Sequence, residues 1–150
     1  MLPRYQHNGN LPAGIHEATW AEFVERFGRT AHRQQLLQGL AAGLAQLKAA
    51  GCTTVYVDGS FVTDVENVFN ERPHDFDACW QVHGVNVDSL DAVFFTFEAA
   101  RAAQKAKFGG EFFPADWPAD AQGSPFVEYF QQDKNGRAKG IVKIALETLP

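Results

Sequence analysis

Two hydrophobic periods meet at Gly51, and their junction limits the architectures open to this chain. Before it, Leu36, Leu40, Leu44 and Leu47, with Leu37 and Ala41 beside them, recur at helical spacing and form one apolar stripe. After it, Thr53-Thr54-Val55-Tyr56-Val57-Asp58 alternates and is rich in β-branched residues, the pattern of a strand. A helix with one apolar stripe and a strand with one apolar face bury those sides against each other, which predicts a layered helix-on-sheet domain. Gly39 and Gly43 weaken the helix by about 1 kcal/mol each relative to Ala, and their bare backbone permits close helix–sheet contact.

The flanking elements extend this pattern. Thr19-Trp20-Ala21-Glu22 is a capping box that opens a short helix through Phe27, and Gly28 closes it where a positive φ is cheap. Thr30 starts the longer helix. Gly59-Ser60 breaks the first strand, and a polar loop with Asn67, Asn70 and Pro73 leads to a second strand over residues 75–82. Asp88 or Ser89 caps a third helix, with Leu90, Val93, Phe94 and Phe97 at i, i+3, i+4 and i+7, closed by Gly109-Gly110. Glu111-Phe112-Phe113 is a short strand ended by Pro114. Phe126 and Phe130 fit a helical turn and strand alternation nearly equally, Asn135-Gly136 is a turn, and residues 140–146 form a closing strand. Residues 1–18 read as an irregular arm and residues 19–150 as one domain. The predicted class is α+β, a small mixed β-sheet flanked by helices.

Composition narrows the function. With 18 acidic against 13 basic side chains and a net charge of −5, a basic nucleic-acid grip over the whole surface is excluded, though a local patch stays open. Cys52 and Cys79 are the only thiols, so neither a disulfide framework nor an all-Cys zinc site can form. No signal-type leader and no apolar run of about 20 residues stands in the sequence, so a soluble cytoplasmic protein is expected.

Asp58-Gly59-Ser60 followed by Asp75-Phe76-Asp77 carries the chemistry. Period-two geometry puts Asp75 and Asp77 on one face of a strand, with Phe76, Ala78 and Trp80 on the other. Two carboxylates about 7 Å apart repel unless a cation sits between them, and Mg²⁺ (or Mn²⁺) prefers one or two carboxylates plus substrate phosphates. Gly59, lacking Cβ, lets backbone amides and the Ser60 hydroxyl approach a phosphate. If a helix begins at Ser60, its amino end adds favourable potential for an anion.

These residues resemble the signature of the nucleotidyltransferase superfamily: a hydrophobic residue, Gly-Ser, a variable spacer, then Asp-hydrophobic-Asp-hydrophobic, spanning Val57 to Ala78. More widely, GIHEATWAEFVERFG, VYVDGSFVTD, ERPHDFDACW, AQKAKFGGEFFPAD and KGIVKIALETL are similar to an uncharacterised bacterial and phage family related to minimal nucleotidyltransferases. The resemblance implies a nucleotidyltransferase-like core behind N-terminal helices, with one or two Mg²⁺ held by Asp75 and Asp77 against a nucleoside triphosphate. Gly59 and Ser60 would meet the β and γ phosphates, and an acceptor hydroxyl would attack the α-phosphate as pyrophosphate leaves. The acceptor would be a protein, a nucleic-acid end or a small molecule. Minimal members often act as antitoxins, which makes a toxin partner a lead, and the chain's small size points to a large acceptor or a homo-oligomer. Active members add a third carboxylate, for which Glu111 and Asp116 flank the next strand; Glu111 is taken as the metal ligand.

Other residues leave alternatives open. Lys139 and Lys143 reach the phosphates if the closing strand lies beside the site, and otherwise belong to a solvated face. Asp75 and Asp77 are also readable as solvated strand acids, and Asp58 as a turn acid or one that backs the site. Cys79 has no His partner and reads as a small buried hydrophobe. An Asp-x-Asp phosphatase loop is disfavoured, since Cys79 stands where a hydroxyl residue belongs. The main alternative is a degenerate member that binds nucleotide or protein without turnover.

Overall fold

A computed structural model describes residues 1–150. Along the chain it has β1 (Ile15–Ala18), α1 (Trp20–Phe27), α2 (Ala31–Ala49), β2 (Thr54–Asp58), α3 (Val65–Phe69), β3 (Phe76–Trp80), α4 (Glu98–Phe108), β4 (Gly110–Pro114), α5 (Phe126–Tyr129) and β5 (Ile141–Ala145). Short 3₁₀ turns lie at Gly59–Val62, Val87–Ser89, Ala92–Phe95 and Leu146–Thr148. The fold is α+β, with one five-stranded mixed sheet in the order β1-β5-β2-β3-β4. β2 is antiparallel to both β3 and β5, while β1 runs parallel to β5 and β4 parallel to β3. The parallel β3–β4 pair needs a crossover, and the segment ending in α4 supplies it.

Register sorts the sheet into two unlike faces. Val55 pairs with Trp80 and Ile144, and Val57 with Ala78 and Val142. With Phe76 and Phe112 they share one core with the leucine stripe of α2 and with Phe23 and Phe27 of α1. Each buried Val, Leu, Ile or Phe among them contributes about 1.5–3 kcal/mol by leaving water. The glycines of α2 make this contact possible. A Cβ at Gly39 would overlap the Phe108 carbonyl ending α4, and one at Gly43 would overlap the Phe112 ring. On the opposite face stand Tyr56, Asp58, Asp77, Cys79, Glu111 and Lys143. There α5 covers part of the sheet through Phe113, Cys79 and Ala115 packed on Phe126 and Phe130. The polar groups of the sheet are thereby gathered on the side away from the main helices.

Several local expectations need correction. The arm over residues 1–18 is not irregular throughout, because Ile15–Ala18 forms an edge strand of the same sheet and Leu2 and Leu11 are buried. The capping box of α1 is present, but Gly28 has a φ of −98°. Glycine serves there by space, since a Cβ would stand 2.7 Å from Leu37 Cδ1. The polar loop after Gly59-Ser60 contains α3, closed by Asn70 in the left-handed region. β3 begins at Phe76, so Asp75 stands just ahead of it.

The predicted third helix is broken. Asn86 and Asp91 accept hydrogen bonds from the Asp88 and Val93 amides and start 3₁₀ turns that compete with helix. Phe95 and Phe97 then turn toward Trp117, with ring centroids 6.0 and 6.1 Å away, while Phe94 meets Phe112 at 5.1 Å. The first turn of α4 is left-handed: Ala99, Ala100 and Arg101 have φ of 52°, 56° and 61°. That conformation costs an L-residue about 1–2 kcal/mol. No helix is long and apolar enough to cross a membrane.

Candidate metal and phosphate site

Pairing across three strands assembles a row of acids. Asp58 ends β2 directly opposite Asp77 of β3, and Glu111 of β4 lies opposite Asp77 on its other side. Asp75 is two residues before Asp77 and shares its side of the chain. Carboxylate oxygens of Asp75, Asp77 and Glu111 all lie within 4.8 Å of one another. Glu111 is thus the third carboxylate beside the pair, brought in by the parallel register of β4. Asp116 is not in this cluster.

The Gly-Ser turn abuts the same acids. The chain leaves β2 through Gly59 at a φ of +78°, and a Cβ on Gly59 would stand 2.5 Å from Asp77 Oδ2. Both the backbone conformation and the space therefore demand glycine. The Thr63 hydroxyl donates to the Gly59 carbonyl at 3.0 Å, and Phe61 and Val62 anchor the turn in the core. Ser60 begins no α-helix. It lies in a 3₁₀ turn of four residues, too short to supply a helix-end field.

Arg33 fixes this turn from behind, a role not predicted from sequence. Its guanidinium donates to the carbonyls of Phe61 at 2.6 Å and Thr63 at 3.0 Å, and grips Glu66 through Nε at 2.6 Å and Nη2 at 2.9 Å. The side chain is buried and lies over the Phe61 ring. Its signal was present: Arg33 occupies the helical phase of Leu36, Leu37 and Leu40, where a charge is tolerated only with partners.

Crowding and burial shift the acids in one direction. The Asp77 carboxyl is pushed up to about 7, chiefly by burial and then by the charges of Glu111 and Asp75. Asp75 rises for the first two of these reasons, burial and Glu111. Asp58, fully buried, is raised well above the carboxylate range by burial and by Asp77. Its Oδ2 meets the Cys79 thiol at 3.6 Å, and its Oδ1 has no hydrogen-bond partner. Cys79 is buried, as expected. The cations nearest the trio are Arg101, paired with Glu111 Oε2, and Lys105, 3.1 Å from Glu111 Oε1.

A cleft of about 450 Å³ opens beside Asp77, lined among others by Gly59, Ser60, Lys134, Arg137 and Lys139. Burial lowers the Lys139 ammonium, opposed by Asp58, Asp133 and Asp77. Lys143 is not at this cleft. It lines a separate hollow with His16, Glu17 and Tyr56, and its Nζ lies 3.5 Å from Glu17. The structure therefore brings Gly59, Ser60, Asp75, Asp77, Glu111 and Lys139 to one neighbourhood and leaves Lys143, inside β5, at a separate hollow.

The donor set fits a hard divalent cation. Three carboxylates supply oxygen only, they are too close to be charged together at low cost, and the unpartnered Asp58 Oδ1 marks further unbalanced polarity beside them. An α+β domain with carboxylates crowded against a glycine turn, on the open face of its sheet, is the class this geometry defines. The chain belongs to DUF6932, a family of unknown function, whose pattern it matches over residues 3–145. No curated protein and no solved structure matches the chain.

Proposed function

We propose that the protein is a divalent-metal-dependent nucleotidyltransferase, moving a nucleoside monophosphate from a nucleoside triphosphate to a protein, nucleic-acid or small-molecule acceptor. The observation that carries this reading is the convergence of Asp75, Asp77 and Glu111 within 4.8 Å, with Asp77 pressed against Gly59. Those three carboxylates would hold Mg²⁺ or Mn²⁺, which when bound neutralises charge on the acids and on a polyphosphate. Gly59, lacking a Cβ, lets the Asp77 carboxylate lie directly against the turn, and Ser60 offers a hydroxyl in the same turn beside the cleft. Lys139 places its ammonium in the cleft with them, where partial burial strengthens attraction to an anion. Arg33 keeps the turn rigid, which favours one phosphate position over many. In the reaction the acceptor oxygen bonds to the α-phosphorus as the α–β bridge breaks. Pyrophosphate leaves, and the acceptor proton passes to a carboxylate of the trio.

A second reading, a nucleotide-binding module without turnover, is favoured by one observation: both oxygens of Glu111 already hold cations, Arg101 and Lys105. Incubation with labelled ATP, GTP, CTP or UTP and Mg²⁺ or Mn²⁺, alone and with cell extract as acceptor, separates the two. Pyrophosphate release or label transfer that Asp77→Asn abolishes supports transfer. Triphosphate binding with no release under any combination supports the second reading.

A further inference from the structure

The first turn of α4 contradicts its own sequence. Glu98-Ala99-Ala100-Arg101-Ala102-Ala103-Gln104-Lys105 consists of strong helix formers, yet Ala99, Ala100 and Arg101 are held left-handed. Such residues adopt this conformation only where the surroundings impose it. From that left-handed turn Arg101 reaches the acidic trio, pairing with Glu111, its guanidinium 4.9 Å over the Phe113 ring. Without a positive group among them, Asp75, Asp77 and Glu111 would repel, and Asp58, buried with an unpartnered oxygen, stands opposite Asp77. Reversing the sign of φ and ψ at three successive residues swings their Cα–Cβ bonds to the other side of the chain. The right-handed form of this turn therefore cannot present Arg101 to Glu111 in the same way.

We propose that Arg101 is a displaceable internal counter-ion: a divalent cation at Asp75, Asp77 and Glu111 expels it, and residues 98–101 rewind into a right-handed first turn of α4. The idea rests on the metal-binding reading above and adds to it a built-in gate. In the metal-free protein Arg101, together with Lys105 on the other Glu111 oxygen, balances the acids, and Arg101 does so from a strained backbone; with the cation in place the charge reason for that strain is gone. Metal occupancy and helix conformation are thereby linked, each favouring the other by the same free energy.

The test uses two variants of the full chain, with Mn²⁺ affinity from calorimetry and helix content from far-UV circular dichroism. Ala100→Gly decides it, because the substitution changes no charge and no proposed ligand. Glycine relieves the left-handed conformation and disfavours the helical one, so it stabilises the latched form and is expected to weaken Mn²⁺ binding about tenfold. Arg101→Gln is expected to tighten it at least tenfold, and wild type is expected to gain helical signal on adding Mn²⁺. Tightening in Arg101→Gln with wild type failing to bind would also support the latch. If wild type and Ala100→Gly bind Mn²⁺ equally and no helical signal is gained, the gate is wrong and the metal site stands. If no variant binds Mn²⁺, the metal-binding reading and the gate fall together.

Discussion

Replacing Asp77 with asparagine should make the metal-free protein more stable, and the gain should depend on pH. Asp77 titrates at about 7 in the fold against an ordinary value of 3.8. A carboxyl raised by folding favours the native state while protonated. That advantage is full below about pH 4, falls as the unfolded chain ionises, and is lost once pH passes about 7. The gap corresponds to about 4 kcal/mol as a ceiling. Asp77 retains some solvent contact, and screening reduces the expected gain to about 2 kcal/mol. The assay is urea unfolding of wild type and Asp77→Asn in EDTA at several pH values between 4 and 8. The two proteins should be close in stability at pH 4, with the variant about 2 kcal/mol ahead at pH 8. Saturating Mn²⁺, at a hundredfold its Kd, should then raise wild type by about 2.7 kcal/mol and leave the variant unmoved. A variant that is less stable than wild type at pH 8, or a difference that ignores pH, would refute the argument that Asp77 is crowded by like charge.

Three further outcomes follow from the same geometry. Gly59→Ala meets both a φ of +78° and Asp77 Oδ2 at 2.5 Å, so it should cost at least about 1–2 kcal/mol in urea unfolding and abolish Mn²⁺-dependent triphosphate binding. Wild-type stability in that variant would show that the turn is not confined as described. Arg33→Ala strands the Phe61 and Thr63 carbonyls and Glu66, and should cost about 3 kcal/mol; a loss under 1 kcal/mol would mean water replaces the guanidinium freely. Ser60→Ala should weaken triphosphate binding more than monophosphate binding in parallel titrations, and equal losses would place the phosphates elsewhere.

Local signals in the sequence reached far where the structure is local. The Thr19–Glu22 capping box, the leucine stripe of α2 and the alternation in β2 and β3 each follow from neighbours within one or two turns or along one strand, and each is realised. The facing of Asp77 and its nearness to Gly59 follow from that alternation plus an antiparallel pair. What escaped depends on distant partners. β1 has four residues and little alternation, and exists because β5, more than a hundred residues later, offers it an edge. Glu111 is named from its place beside the next strand, but its seat opposite Asp77 depends on the β3–β4 register, which the crossover through α4 sets and which no single segment encodes. Leu90, Val93, Phe94 and Phe97 have helical spacing, but Asx capping at Asp91 and the ring of Trp117 outweigh it. Lys139 and Lys143 look equivalent in sequence, yet only Lys139 lies where the chain enters the cleft.

Electron paramagnetic resonance of Mn²⁺, titrated into wild type and Asp77→Asn with and without a non-hydrolysable triphosphate, probes the acids and the glycine turn together. Wild type should bind Mn²⁺, bind it more tightly when triphosphate is present, and show phosphorus coupling to the metal, all of which Asp77→Asn should lose. Equal Mn²⁺ affinity in the two proteins, unchanged by triphosphate, would contradict a cation held between Asp75, Asp77 and Glu111 over Gly59-Ser60.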